Sequence, residues 1–306
     1  MQLEKLITFS GANHQLRFTL MERSLRAVGC SLPIHVIPYD DARFDLPKNA
    51  QWWLNEEIAR WVESESANPK KRKYQCLITN NYQYVDTDVL FLRNPEEVLS
   101  SISGFITSCN HWASAESMWV VTKESRQIMQ SKSTLWQKNV FCAGQFACDS
   151  ILYSAPELIK VAMHPAHQST CVRPPYGDQE GLNLLVFLSS IAVTNLTLPP
   201  FCMESTWPGD YPEDPFVYWC DEGKKPYLLH CYNYTDRLSE DRKINWLFRE
   251  LLTQREQEEW KKESAVWRNN QQRYTEGRIK FHRQGVLKRL AGRLERAGKV
   301  LLRGYY

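Results

Sequence analysis

The stretch Tyr84-Val85-Asp86-Thr87-Asp88-Val89-Leu90-Phe91-Leu92 decides how the rest of the chain reads. Residues 82–92 have the composition of a buried strand, yet two carboxylates lie two positions apart inside it. Burying one charge is costly, and burying two like charges costs more. A folded chain tolerates such a pair where the strand ends and meets a divalent cation. Mg²⁺ and Mn²⁺ take oxygen ligands, typically a few carboxylates with phosphate oxygens and water. Residues i and i+2 of an extended strand share a face, so Asp86 and Asp88 could both reach one ion. An exposed turn carrying two aspartates is the alternative, and the apolar run Val89 to Leu92 weighs against it.

Upstream, residues 3–9 read as a strand. Residues 13–28 read as a helix, with Leu16, Leu20, Leu25 and Val28 at helical spacing and Gly29 as its C-terminal cap. Residues 34–37 read as a second strand closed by Pro38. Strand, helix and strand at this spacing form a βαβ unit and imply a parallel sheet. A tryptophan-bearing helix is expected over 51–64, and Lys70-Lys71-Arg72-Lys73 reads as a solvated basic loop. Downstream, strands are expected near 104–107, 117–121, 140–148, 191–198 and 226–231. Helices are expected at 95–102, 155–163 and 178–189. Residues 199–225 read as an irregular loop, whose Trp207, Tyr211, Phe216, Tyr218 and Trp219 suit either a sugar-stacking wall or core packing. From Ser239 the composition turns to charged helix formers. The expected organisation is an α/β domain over 1–238 and a charged helical extension over 239–306.

The chain has 306 residues, 43% hydrophobic and 24% charged, which argues against general disorder. That length buries a substantial core without a disulfide scaffold. No run of about 18 uncharged apolar residues occurs, so no spanning helix is expected. Met1-Gln2-Leu3-Glu4-Lys5 leads straight into a strand, so no signal peptide is expected. Nine cysteines are scattered without a Cys-x-x-Cys pair, which suits free thiols in a reducing cytoplasm.

The net charge of +3 conceals a split. Residues 268–306 hold 11 Lys and Arg against 2 Asp and Glu, a balance of +9, which leaves −6 for residues 1–267. Leu287, Leu290, Leu294 and Leu301 fall near one helical face of this tail. Residues 280–306 therefore read either as an interfacial helix on anionic lipid or as a helix packed on the body. A nucleic-acid arm ranks last, because no nucleic-acid module accompanies the charge.

Three weaker features accompany the aspartate pair. Gly177-Asp178-Gln179-Glu180 opens an apolar helix, where Asp178 could simply be a cap. The apolar run Tyr227-Leu228-Leu229 ends in His230, whose neutral imidazole would suit Mn²⁺. In Phe141-Cys142-Ala143-Gly144, the small residues would let a ligand approach the backbone closely.

In this order the motifs resemble those of the GT-A glycosyltransferases, especially the retaining glycogenin and lipopolysaccharide galactosyltransferase type (family 8-like). The family's Asp-x-Asp is Asp86-Thr87-Asp88 here, its Asn-Ala-Gly element is Cys142-Ala143-Gly144, its Asp-Gln-x-x-Leu-Asn segment is Asp178 to Asn183, and its late metal-binding His is His230. Two departures stand out. Cys142 occupies the place of the usual Asn, and Cys231-Tyr232 follows the His in place of a Gly-x-Lys.

The resemblance implies a Rossmann-like mixed sheet flanked by helices. It implies that Asp86, Asp88 and His230 hold Mn²⁺ or Mg²⁺ against the diphosphate of a nucleoside-diphosphate sugar, a UDP-sugar. Asp86 would also touch the ribose. Thr8, Phe9 and Ser10 would contact the base, Gly144 would lie against the donor, and Asp178 and Gln179 would act at the sugar. The acceptor would be a glycan, glycolipid or protein, with transfer under retention. With the scattered thiols, a cytoplasmic enzyme is expected, with peripheral contact at the inner face of a membrane as one of the two readings of residues 280–306. Asp86-Thr87-Asp88-Val89 also fits phosphatases and phosphotransferases that form an aspartyl phosphate, and a non-catalytic nucleotide-sugar-binding protein is the third alternative. A sugar-nucleotide pyrophosphorylase is disfavoured, since Ser10-Gly11-Ala12-Asn13 has one glycine where a phosphate loop needs several.

Overall fold

The computed structural model describes residues 1–115, 120–173, 177–207, 210, 225–230 and 250–262. In chain order the elements are β1 (Lys5–Ser10), α1 (Gln15–Ala27), β2 (Ile34–Pro38), β3 (Ala50–Trp52), α2 (Glu56–Ser64), β4 (Tyr82–Asp86), β5 (Val89–Phe91), α3 (Pro95–Leu99) and β6 (Phe105–Thr107). They continue with α4 (Lys123–Lys132), β7 (Gln145–Cys148), α5 (Ala155–Ala162), α6 (Gln168–Cys171), α7 (Gln179–Leu188), β8 (Val193–Asn195) and β9 (Leu228–His230).

Seven strands form a mixed sheet in the order β3-β2-β1-β4-β7-β6-β8, and β5 pairs with β9 in a separate ribbon. The expected βαβ unit is β1-α1-β2, and β1 runs parallel to both β2 and β4. β7 is antiparallel to β4 and β6. Alternation along the strands supplies two cores. Ile7, Tyr82, Tyr84 and Phe146 face the cluster that includes α2, α5 and α7, while Leu6, Val85 and Ala147 face the one that includes α1. Tyr84 stacks on Phe146 at 4.8 Å between ring centroids, and Phe105 stacks on the same ring at 5.3 Å.

Several expected elements are corrected. The strand expected over 82–92 breaks at Thr87-Asp88. β4 stays in the main sheet and β5 leaves it to pair with β9. Two carboxylates inside a sheet buried on both faces could not be solvated, so the chain turns where they begin. The helix expected from residue 51 starts at Glu56, because the Asn55 side chain accepts from the Ile58 N–H at 2.9 Å. Trp52 is instead the last residue of β3. The strand expected over 140–148 covers only Gln145–Cys148.

The basic run is not a solvated loop. Pro69–Ile78 forms 3-10 turns that bury Lys71, Arg72 and Lys73. Most of the strand expected at 117–121, most of the aromatic loop at 199–225 and the basic tail lie outside the described residues, and residues 120 and 121 are in a bend rather than a strand. The chain divides into one unit over Met1–Leu252 and another over Thr253–Tyr306, and residues 254–262 of the second are helical. Among the described residues no helix is long and apolar enough to cross a membrane, and the seven described cysteines are free thiols.

Candidate active site

From β1 the chain passes to β2 on one side and later returns to β4 on the other. Such a reversal opens a crevice beyond the C-terminal ends of the strands, where open α/β sheets bind ligands. Phe9 of β1 pairs in register with Asp86 of β4, so both strands end at this edge. The hydroxyls of Thr8 and Ser10 are buried there without a hydrogen-bond partner. The Phe9 ring, on the opposite face of β1, packs edge-on to Tyr39 at 5.4 Å and lies 5.6 Å from Lys73 Nζ, on the side of Asp86.

Asp86 is held from one side by a group that the sequence pattern hid. Lys73 Nζ lies 2.7 Å from Asp86 Oδ1 and 2.7 Å from Asp178 Oδ2. The Tyr84 hydroxyl donates to the same Asp86 oxygen at 2.5 Å. Both contacts fall on Oδ1. Burial opposes the charge of Lys73, but Asp178 and Asp86 outweigh it and hold the ammonium protonated well above its ordinary range. Burial likewise opposes ionised Asp178, and Lys73 then Lys70 pull its carboxyl below the usual range. Asp178 does stand at the N-cap of α7, yet its side chain makes no capping bond; the carboxylate turns to Lys73 instead.

The opposite side is looser. His230 Nε2 lies 3.4 Å from Asp88 Oδ1 and has no hydrogen-bond partner, although the residue is buried. The strand pairing places Val89 opposite His230 and so carries the imidazole back over Asp88. The ring rests on Gly144: a Cβ there would stand 2.1 Å from His230 Cε1. The close approach expected at Gly144 is thus made by the protein's own imidazole, and Gly144 lies in the turn before β7 rather than in a strand. Burial disfavours charge on both partners. Even so, His230 draws Asp88 down to about 2, and Cys142 then Asp88 hold the imidazole proton well above its ordinary range.

Asp86, Asp88 and His230 each offer a ligand atom, and these atoms lie within 4.8 Å of one another. Two carboxylates and one imidazole form a donor set suited to Mn²⁺ or Mg²⁺. The unpartnered Nε2 is the orphaned atom such an ion would satisfy, displacing the proton that the acidic surroundings now favour. The residues present therefore fit a divalent cation.

Gln179 meets the same crevice, since its Oε1 accepts from the Ala143 N–H at 3.2 Å. Asn183, one turn further along α7, clamps Phe141 through both backbone groups, at 2.9 and 3.0 Å. Asp86 at the end of β4, Asp88 in the turn after it, Gly144 in the turn before β7, His230 of β9, and Asp178 and Gln179 at the start of α7 thus converge on one edge. The missed member is Lys73. The one signal for it was the apolar run Tyr74 to Ile78 following directly, which ties the basic run to the interior.

No protein-family model matches the chain, and no curated protein matches it. Among solved structures it is similar to the galactosyltransferase LgtC, solved with donor and acceptor sugar analogues. The TM-score is 0.53 and the identity 13%, over 85% of this chain and 99% of that one. It also aligns with the apo glycosyltransferase GlyE of Streptococcus pneumoniae TIGR4, at TM-score 0.45 and 13% identity, over 88% of this chain and 64% of that one. The seven-stranded mixed sheet and its flanking helices thus have the GT-A fold seen in the galactosyltransferase LgtC.

Proposed function

We propose that the chain is a metal-dependent glycosyltransferase that moves a sugar from a nucleoside-diphosphate sugar, a UDP-sugar, to a glycan, glycolipid or protein acceptor with retention. The observation that carries this reading is the convergence of Asp86, Asp88 and His230 at the switch point, with the Lys73–Asp178 pair beside them. A Mn²⁺ or Mg²⁺ ion held there supplies Lewis-acid stabilisation of the departing nucleoside diphosphate. Thr8, Phe9 and Ser10, at the end of β1 beside Asp86, would contact the base of the nucleotide. Lys73 keeps Asp178 ionised and holds both Asp86 and Asp178 in place before the donor arrives. Asp178 and Gln179 then orient the sugar hydroxyls and stabilise positive charge developing at the anomeric carbon. Because this array is prepared in advance, little reorganisation accompanies bond cleavage.

The aspartyl-phosphate alternative needs Asp86 as a nucleophile. Its Oδ1 is engaged by an ammonium and a phenol, which leaves only Oδ2 to attack. A donor screen by thermal shift and by donor hydrolysis with Mn²⁺ tests the proposal. One nucleoside-diphosphate sugar should raise the melting temperature and turn over. Asp88→Ala should abolish both responses, with turnover falling by about three decades, as losing several kcal/mol of leaving-group stabilisation requires. Full donor response and turnover in that variant would sink the assignment.

A further inference from the structure

We infer that Cys142 is a positioning residue for the metal centre: its sulfur fixes the tautomer and orientation of His230 so that Nε2 presents a lone pair to the cation. The inference rests on the metal reading above. Cys142 Sγ lies 3.4 Å from His230 Nδ1, on the opposite side of the ring from Asp88. Neutral imidazole carries one N–H. A cation at Nε2 requires that proton on Nδ1, and there it needs an acceptor. Among the described residues, Cys142 Sγ is the acceptor within reach. Ligating histidines are ordinarily oriented in this way, through the ring nitrogen that does not bind the metal.

The sulfur is itself held in place by the backbone. The Cys142 N–H donates to Cys109 Sγ at 3.3 Å, and the Ala143 N–H donates to Gln179 at 3.2 Å. Asn183 clamps Phe141 on the other side. The imidazole is boxed as well: its face rests on Gly144, and its backbone N–H donates to the Thr206 carbonyl at 2.8 Å. The ring therefore has contacts on its face, its backbone and Nδ1, and is open only where Nε2 meets Asp86 and Asp88. A buried cysteine usually serves as a small hydrophobe. Here the contact with a ring nitrogen assigns it a further task.

The test is a Mn²⁺ titration of the full chain without donor, read by the loss of the free-ion electron paramagnetic resonance signal. The wild type should bind. Cys142→Ala should weaken Mn²⁺ binding by about 10- to 100-fold, the usual cost of losing such an orienting partner. Cys142→Ser, which keeps an acceptor, should recover most of that loss. The metal-free melting temperatures of the three proteins should stay close, because the effect is on ring orientation and not on packing. Wild-type Mn²⁺ affinity in Cys142→Ala would overturn the inference and leave the metal site standing. A folded wild type that binds no Mn²⁺ would overturn both readings. If Cys142→Ala does not fold, Cys142→Ser and Cys142→Val form the comparison. Equal affinity in those two would count against the inference, and weaker binding by the valine variant alone would support it.

Discussion

The two sides of Asp86 are built to opposite rules. Toward Lys73 every charge is matched at 2.7 Å: one buried ammonium serves two carboxylates, and a phenol adds a further bond. Toward His230 the nearest oppositely charged atoms stand 3.4 Å apart, and a buried nitrogen has no hydrogen bond. Both regions hold carboxylates at similar depth, so burial alone does not explain the difference. The first region is complete as it stands and contributes rigidity. The second leaves a buried nitrogen without a hydrogen bond, the atom that a cation would satisfy under the proposed function. Under the proposed function the site would separate preorganisation from ligand capture.

This contrast can be broken by substitution. Lys73→Met leaves two carboxylates without their shared cation, and removing one partner of a buried pair costs about 3–5 kcal/mol. Urea unfolding should show that loss, and metal-free Asp88→Asn should lose clearly less. Equal losses in the two variants would erase the distinction between the halves. Gly144→Ala should be milder in stability, about 1–3 kcal/mol as overpacking usually costs. Its new Cβ would meet His230 Cε1 at 2.1 Å, so the ring must move and Mn²⁺ binding should fall sharply in a titration. Retained affinity would show that the imidazole has room that the structure does not display.

The smallest effect is in pH dependence. The carboxyl of Asp178 is held below its ordinary range, so at acidic pH the unfolded chain binds the proton more readily than the folded one. Its contribution to stability is therefore present above about pH 4, the unperturbed carboxylate range, and is lost as pH falls through the lower folded value. Asp178→Asn should flatten the acid limb of melting temperature against pH. An unchanged limb would mean that the Lys73 pair contributes nothing there.

The parts of the site that could be read from sequence share one property: each breaks a local pattern. Asp86 and Asp88 interrupt an apolar strand, His230 ends one, and Asp178 opens an apolar helix. Lys73 breaks nothing, since four basic residues in a row look like any solvated loop. Its role arises from contacts to β4 and to the start of α7, both distant in sequence. Gly144 was legible as a site of close approach, but not what approaches: the β5–β9 pairing brings the imidazole over it. The strand boundaries at 86 and 145 were misjudged for a related reason. Hydrophobic pattern marks what is buried, whereas sheet membership depends on which neighbour offers backbone hydrogen bonds.

By itself, the sequence determined the βαβ start, the α/β class, and the identity and order of the carboxylates and imidazole, because hydrophobic periodicity and misplaced charges are local properties. Tertiary structure alone decided that a basic run would fold inward to neutralise two of those carboxylates, and that a strand would split so that its second half could deliver His230. Coulombic pairing and backbone hydrogen bonding act across space, and neither leaves a local trace in the order of residues.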